Sequence, residues 1–413
     1  MTTRPNLTIF RNLNLLDGTG RRPVVDAAIL VEGNRIRAVG RAAEFGSVLE
    51  DASSYDCGGR TVLPGLINAH EHLTWRRGIG GFEDRVVRQP AGKLLVRGFG
   101  HALISLLEGV TTVRDVGSKE GLAIALRDAI NAGQVHGPRI IAAGAPIAMT
   151  GGHGSGAVRV ANGVTEVRRA AREQLKAGAD LIKLMASGGF VARGVDSPTA
   201  PQFTVDEMRV AFDEAHKAGK RTTVHAHPPA AIHAAIEAGV DCIEHAGLAD
   251  RETAEFLAER KILVVPTLSA LRMEVERGER LGRPAWLVEM CRQSLPEQKR
   301  MFRALLEAGC MIVAGVDSLG DLQGELGHMV DEGMPVPQAI AAATLVAAQC
   351  LGVEDQVGTL ETGKMADFIA VDGDPLTDIR ALRKVALTVK DGVLYHPDTV
   401  RTAIGPGLMT DFR

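Results

Sequence analysis

The rhythm of apolar and polar positions changes twice along the chain. Residues 7–63 alternate in short runs, "LTIFRNLNLLDG", "AAILVEGNRIRAVG" and "SSYDCGGRTVLPG", broken by Gly, Asn and Asp. Period-two alternation with such punctuation predicts short strands and tight turns, with a hairpin at "VEGNRI". The same style returns in "GTLETGKMADFIAVDGD" and "VALTVKDGVLY". Two β-rich ends around a different middle predict one small β-sandwich domain, built from residues 1–63 plus 357–413.

In the middle, short apolar runs alternate with amphipathic stretches of helical period. The runs are 61–72, 110–116, 139–147, 181–187, 221–227, 242–246, 263–270 and 311–318. Helices are expected between them, for example over 164–178, 204–218 and 335–351. Eight such β/α units predict an α/β fold, a (β/α)8 TIM-type barrel over residues 64–356. In that architecture chemistry sits at the C-terminal ends of the strands.

Residues of metal-ligand type fall at those ends. "NAHEHL" carries His70 and His72, "ADLIKLMAS" carries Lys183, "VHAH" carries His225 and His227, "IEHA" carries His245, and "AGVD" ends on Asp317. Alternate residues of a strand share a side. His70 and His72 are therefore expected to point together, with Glu71 turned away. By the same rule Glu244 should face away from His245. Imidazole and carboxylate suit a borderline divalent ion such as Zn2+. One histidine pair alone is equally a pair of surface loop residues; the set spread over several strand ends is not.

Lys183 lies inside an apolar strand, where an ammonium is costly unless paired or neutralised. One reading is a buried salt bridge. The other is a neutral amine that has reacted with carbon dioxide to form a carbamate able to bridge two metal ions; desolvation lowers a lysine pKa and favours that reaction. Asp317 reads either as the N-cap of a helix in "DSLGD" or as a metal ligand and proton acceptor.

Composition narrows the partners. The 413 residues, 45% hydrophobic and 23% charged, suit one large domain with a smaller one and not a disordered chain. A net charge of -3 and 4% aromatic residues point away from nucleic acid and anionic membranes. No signal-peptide core and no apolar run of membrane-spanning length stands in the chain. Cys57, Cys242, Cys291, Cys310 and Cys350 are scattered and read as buried thiols in a reducing cytoplasm.

With these motifs assembled, the chain resembles the amidohydrolase superfamily over essentially its whole length, in the imidazolonepropionase-related branch that includes Xaa-Pro dipeptidases and similar carboxypeptidases. "VLPGLINAHEHL" is similar to the family's first strand and HxH motif, "LIKLMASGG" to its carboxylated-lysine strand, and "VHAH", "IEHA" and "AGVDS" to its remaining ligand strands. HxH alone is common; the ordered set is specific. The resemblance implies two divalent metal ions, with zinc expected. His70, His72 and Asp317 would hold the first, His225 and His245 the second, and Lys183, carboxylated by CO2, would bridge them. It also implies a homo-oligomer.

Two further histidines enter through the resemblance. His153, in the glycine-rich "TGGHGSG", would point at the scissile carbonyl. His227 stands where some relatives carry a tyrosine that holds the substrate carboxylate, and either lines the substrate pocket or binds metal. The implied reaction is hydrolysis of the amide in a small N-acyl or N-aroyl amino acid or dipeptide, a class that includes ochratoxin A, by a metal-activated hydroxide. Asp317 would take the water's proton and deliver it to the leaving nitrogen. "GSG" lacks the GxSxG spacing of a serine nucleophile. The loop 187–203 would cover the site, and Arg193 within it is a candidate partner for a carboxylate or a solvated charge.

Three rivals share the fold: a urea or carbamate hydrolase on the same metal site, a cyclic imide or imidazolone hydrolase or deaminase, and a non-catalytic barrel. The single-metal enzymes often place a glutamate soon after the fifth-strand histidine, and "HAHPPAA" has none. His101, His216, His233 and His328 fall in expected helices and His136 and His396 in turns, all read as surface or second-layer positions. Asp115 reads as a support for the ligands or as a packing residue.

Overall fold

The computed structural model describes residues 7–46, 52–75, 78–190, 196–318 and 320–404. The two ends meet in one sheet. Ser53–Pro64 lies at its centre, parallel to Leu7–Leu15 and antiparallel to Phe368–Val371. Val24–Glu32 and Arg35–Arg41 extend it on one side, Val385–Lys390 and Val393–Tyr395 on the other. The expected hairpin is there: Glu32 pairs with Arg35 across a turn in which Gly33 takes a φ of 62°, open to a residue without Cβ.

The expected sandwich of two sheets is instead a single seven-stranded mixed sheet that curls. Register shifts in both strands flanking Leu7–Leu15 and in Phe368–Val371 provide the bends. The far edge returns to the C-terminal segment, where Ile36 N donates to Lys364 O at 2.9 Å. Phe10, Leu13, Ile29, Phe368 and Val389 fill the enclosed space, with Phe10 and Phe368 edge to face at 4.8 Å.

The middle folds as an α/β structure of TIM-barrel type. Every expected run contains a strand. Leu66–Glu71, Val110–Asp115 and Arg139–Ala142 form one parallel sheet. Leu181–Met185, Arg221–Ala226, Cys242–His245, Leu263–Val265 and Met311–Ile312 form a second, again parallel. The third run contributes to both sheets, since Ile147–Ala148 joins the second beside Leu184. Backbone hydrogen bonds cross both seams: Asp180 N to Ala142 O at 2.7 Å, and Ala69 N to Ala314 O at 3.0 Å.

Helices cover the strands and bury one face each. Val205–Lys217 starts on a capping box, Thr204 and Glu207 satisfying each other's backbone amides. Two expectations need correction. The helix over 335–351 is broken into Val336–Ala342 and Leu345–Leu351 at Thr344, whose hydroxyl bonds back to Ile340 O. The second half of run 263–270 is already helix, beginning at Leu268 after Thr267 at φ 48°. Four cysteines are buried and Cys310 is partly exposed. Among the described residues, no helix is long and apolar enough to cross a membrane.

Candidate metal centre

The strand ends converge as their sequence positions require. His70 and His72 leave Leu66–Glu71 on one side, with ring centroids 5.3 Å apart. Glu71 braces the turn between them by accepting from His72 N at 3.0 Å and from Asn68 at 3.1 Å. Asp115 accepts the amides of Leu73 and Gly117, and His101, fully buried, donates to Leu73 O at 2.8 Å. Asp115 therefore supports the loop that follows His72. His101 is thus interior, the second-layer alternative of its reading.

Three histidines are anchored through Nδ1: His70 to Glu244 Oε2, His72 to Gly117 O and His245 to Thr267 Oγ1, each at 2.7 Å. A carbonyl and a carboxylate can only accept, so Nδ1 of His70 and of His72 carries the hydrogen and Nε2 is the nitrogen left to face the site. Nε2 of His70 has no hydrogen-bond partner although it is buried. It lies 4.0 Å from Asp317 Oδ1, and Nε2 of His72 lies 3.8 Å from the same oxygen. Ligand atoms of His70, His245 and Asp317 all fall within 4.8 Å of one another.

Glu244, in register with His225, keeps the strand alternation and faces His70; His245 departs from it, because the chain turns left-handed at His245 (φ 73°) and Ala246 (φ 52°). This twist brings His245 back to the side that Glu244 occupies, so neighbours in sequence both serve the centre. Burial alone would favour the acid form of Glu244. Arg114, 2.6 Å away, and His70 outweigh it and hold the carboxyl well below the usual carboxylate range.

Lys183 projects from Leu181–Met185 and is 2% exposed. Burial pushes its ammonium down to about 8, within reach of the neutral amine. Burial likewise lowers His72 and His227 to about 3 and His225 and His245 well below the usual range. Uncharged imidazoles with inward lone pairs, a carboxylate and a readily deprotonated lysine fit a site for divalent cations. Asp317, at φ 63°, bridges to Glu71 and caps no helix; Asp321 caps the next one.

His225 sits differently from its expected partner His245. Its Nε2 lies 3.1 Å from Gly188 O, which leaves Nδ1 as the available nitrogen. Its ring stacks on His153 at 4.1 Å. His153 is oriented by Asp196, Nδ1 to Oδ1 at 3.0 Å, and its backbone amide donates to Gln202. Gly189 makes room for it: a Cβ there would lie 2.3 Å from His153 Cε1. His227 stacks on His245 at 5.0 Å and meets Phe190 at 4.7 Å, with Nδ1 unpartnered. Arg193 and residues 191–195 of the loop 187–203 lie outside the described residues.

Two cavities open on this cluster, and His153, Asp317, Ser318 and Arg85 line both. One continues between Phe190, Pro266 and Leu271, the other between Trp75, Phe82 and Met185. Glu244, Asp196, Thr267 and Arg85 were not singled out as functional from the sequence. Thr267 sits inside an apolar run and Asp196 inside a loop, and neither has a spacing that marks it.

At the strand ends of this TIM-barrel-type fold, His70, His245 and Asp317 form a group that could hold a metal ion. The chain belongs to the amidohydrolase family, whose model matches residues 61–395. It is similar to the ochratoxinase of Aspergillus niger, with 31% identity over 98% of this chain and 88% of that protein. The crystal structure of A. niger ochratoxinase superposes with a TM-score of 0.84 at 28% identity, covering 95% of this chain and 96% of the other. A Xaa-Pro dipeptidase with bound methionine in its active site gives a TM-score of 0.84 at 33% identity, covering 94% of this chain and all of that one (100%). The imidazolonepropionase of Deinococcus radiodurans is 26% identical over 86% of this chain and 88% of its own. Family and relatives together support a hydrolase.

Proposed function

We propose that the protein is a binuclear metal-dependent amidohydrolase that cleaves the amide bond of a small N-acyl or N-aroyl amino acid or dipeptide. The observation that carries this reading is the meeting of His70, His245 and Asp317 within 4.8 Å, with Lys183 buried at the same strand ends. The two parallel sheets act as one closed (β/α)8 barrel in this reading, supported by the backbone hydrogen bonds across both seams. Relatives named for ochratoxin and for Xaa-Pro dipeptides support the substrate class, ochratoxin A included.

Two divalent ions, zinc by expectation, held by His70, His72, Asp317, His225 and His245 with carboxylated Lys183 between them, would supply Lewis acidity and a hydroxide at neutral pH. Asp317 accepts the proton of the attacking water and returns it to the leaving nitrogen. His153, its Nδ1–H held by Asp196, polarises the substrate carbonyl in the form whose Nε2 also carries a hydrogen. The apolar walls around Phe190 and Leu271 and around Trp75 and Phe82 take the acyl group and the amino-acid side chain and exclude water.

The test is amine release. Zinc-loaded protein, purified with bicarbonate, is incubated with dipeptides, N-acyl and N-aroyl amino acids, ureas and cyclic imides. Free amino acid from the first three, lost in Asp317→Asn, is expected. Turnover confined to ureas or rings would overturn the substrate class. No turnover of any of them, at full metal loading, would overturn the amidase reading.

A further inference from the structure

Arg85 is a buried guanidinium that lies over the ring of Phe82, 5.6 Å from its centroid. It sits in the π-helical turn Glu83–Val87 and is 7% exposed. Its Nη1 donates to Trp75 O at 2.5 Å, and its Nε is buried with no partner. Among the described residues it forms no ion pair. Glu274, the nearby acid on the same cavity wall, is already held by Arg283 at 3.1 Å. Arg97 adds a second cation by donating to Arg85 O at 2.7 Å. A buried charge is costly unless something pairs with it.

The tether to Trp75 also sets direction. With Nη1 occupied, the parallel N–H groups of Nε and Nη2 remain, the edge that grips a carboxylate with two hydrogen bonds. Arg85 lines both cavities together with His153 and Asp317. A molecule whose amide lies between those two residues reaches Arg85 from either side.

We propose that Arg85 is the receptor for the substrate's free carboxylate and makes the enzyme selective for acids over their neutral counterparts. The inference rests on the amidase reading and adds a residue to which no role had been assigned. In this inference Arg85 is the specificity determinant.

The test compares the best N-acyl amino acid of the panel with its C-terminal carboxamide. Wild-type enzyme is expected to prefer the acid on the order of 10²-fold in kcat/KM, mostly through KM. The preference collapses in Arg85→Met and is partly kept in Arg85→Lys. A preference that survives in Arg85→Met, or none in the wild type, would overturn the inference and leave Arg85 as a prop for Trp75. Should the variants fail to fold, calorimetry on the wild type decides. The free amino acid product binding about tenfold or more tighter than its carboxamide supports the role, and equal binding overturns it. If the wild type hydrolyses neither acid nor carboxamide, the amidase reading falls, and the same calorimetric comparison still judges Arg85.

Discussion

The Nδ1 atom of His70 lies 2.7 Å from Oε2 of Glu244, and both side chains are shut off from solvent. The contact fixes the ring so that Nε2 faces Asp317. Glu244 also neutralises Arg114 at 2.6 Å, so one carboxylate orients His70 and balances a buried cation. Glu244→Gln keeps the shape and loses the charge. It is expected to cost about 3–5 kcal/mol of stability, because Arg114 is left uncompensated, and about 10–100-fold in metal affinity. Urea unfolding and metal titration read the two effects. The double variant with Arg114→Met should recover stability and not affinity; recovery of both would reduce Glu244 to a charge partner.

Asp196 acts through His153. Removing its charge with Asp196→Asn leaves a hydrogen-bonding group of the same size beside Nδ1 at 3.0 Å. A fall in kcat on the order of 10–10²-fold with KM nearly constant is expected, since polarisation of the carbonyl matters most in the transition state. A change in KM alone would place Asp196 in loop packing instead.

Glu325 makes stability depend on pH. Burial raises its carboxyl to about 7, against the hydrogen bonds it accepts from Ser269 and Leu268. The folded state thus binds this proton more tightly than the unfolded chain does. Its stabilisation is complete below the unfolded value, roughly 4.3, and is lost as pH rises through 7. Relative to Glu325→Gln, the wild type should lose about 3 kcal/mol across that window. Urea midpoints of both proteins from pH 4 to 8 test this; parallel curves would assign the pH dependence elsewhere.

Much of this was legible in the chain because strand ends in an α/β barrel are both short and apolar. His70, His72, Lys183 and His225 follow simple alternation and point where it sends them. His245 and Asp317 reach the centre through left-handed backbone at φ 73° and 63°, a feature that residue type does not announce. The same twist hid Glu244, which reads as outward only if His245 keeps the strand alternation. The curled terminal sheet was read as two sheets because period two reports which face is buried and not how far a sheet bends. Asp196 and Arg85 come from loops and turns, where no period operates and only the fold brings residues together.

The proposed site holds two metal ions bridged by a modified Lys183. The most direct measurement is metal stoichiometry, by elemental analysis of protein purified with bicarbonate and excess zinc. Two equivalents per chain are expected for the wild type, and one or fewer for folded Lys183→Ala. A wild type that saturates at one equivalent, or a Lys183→Ala protein that keeps two, would contradict it.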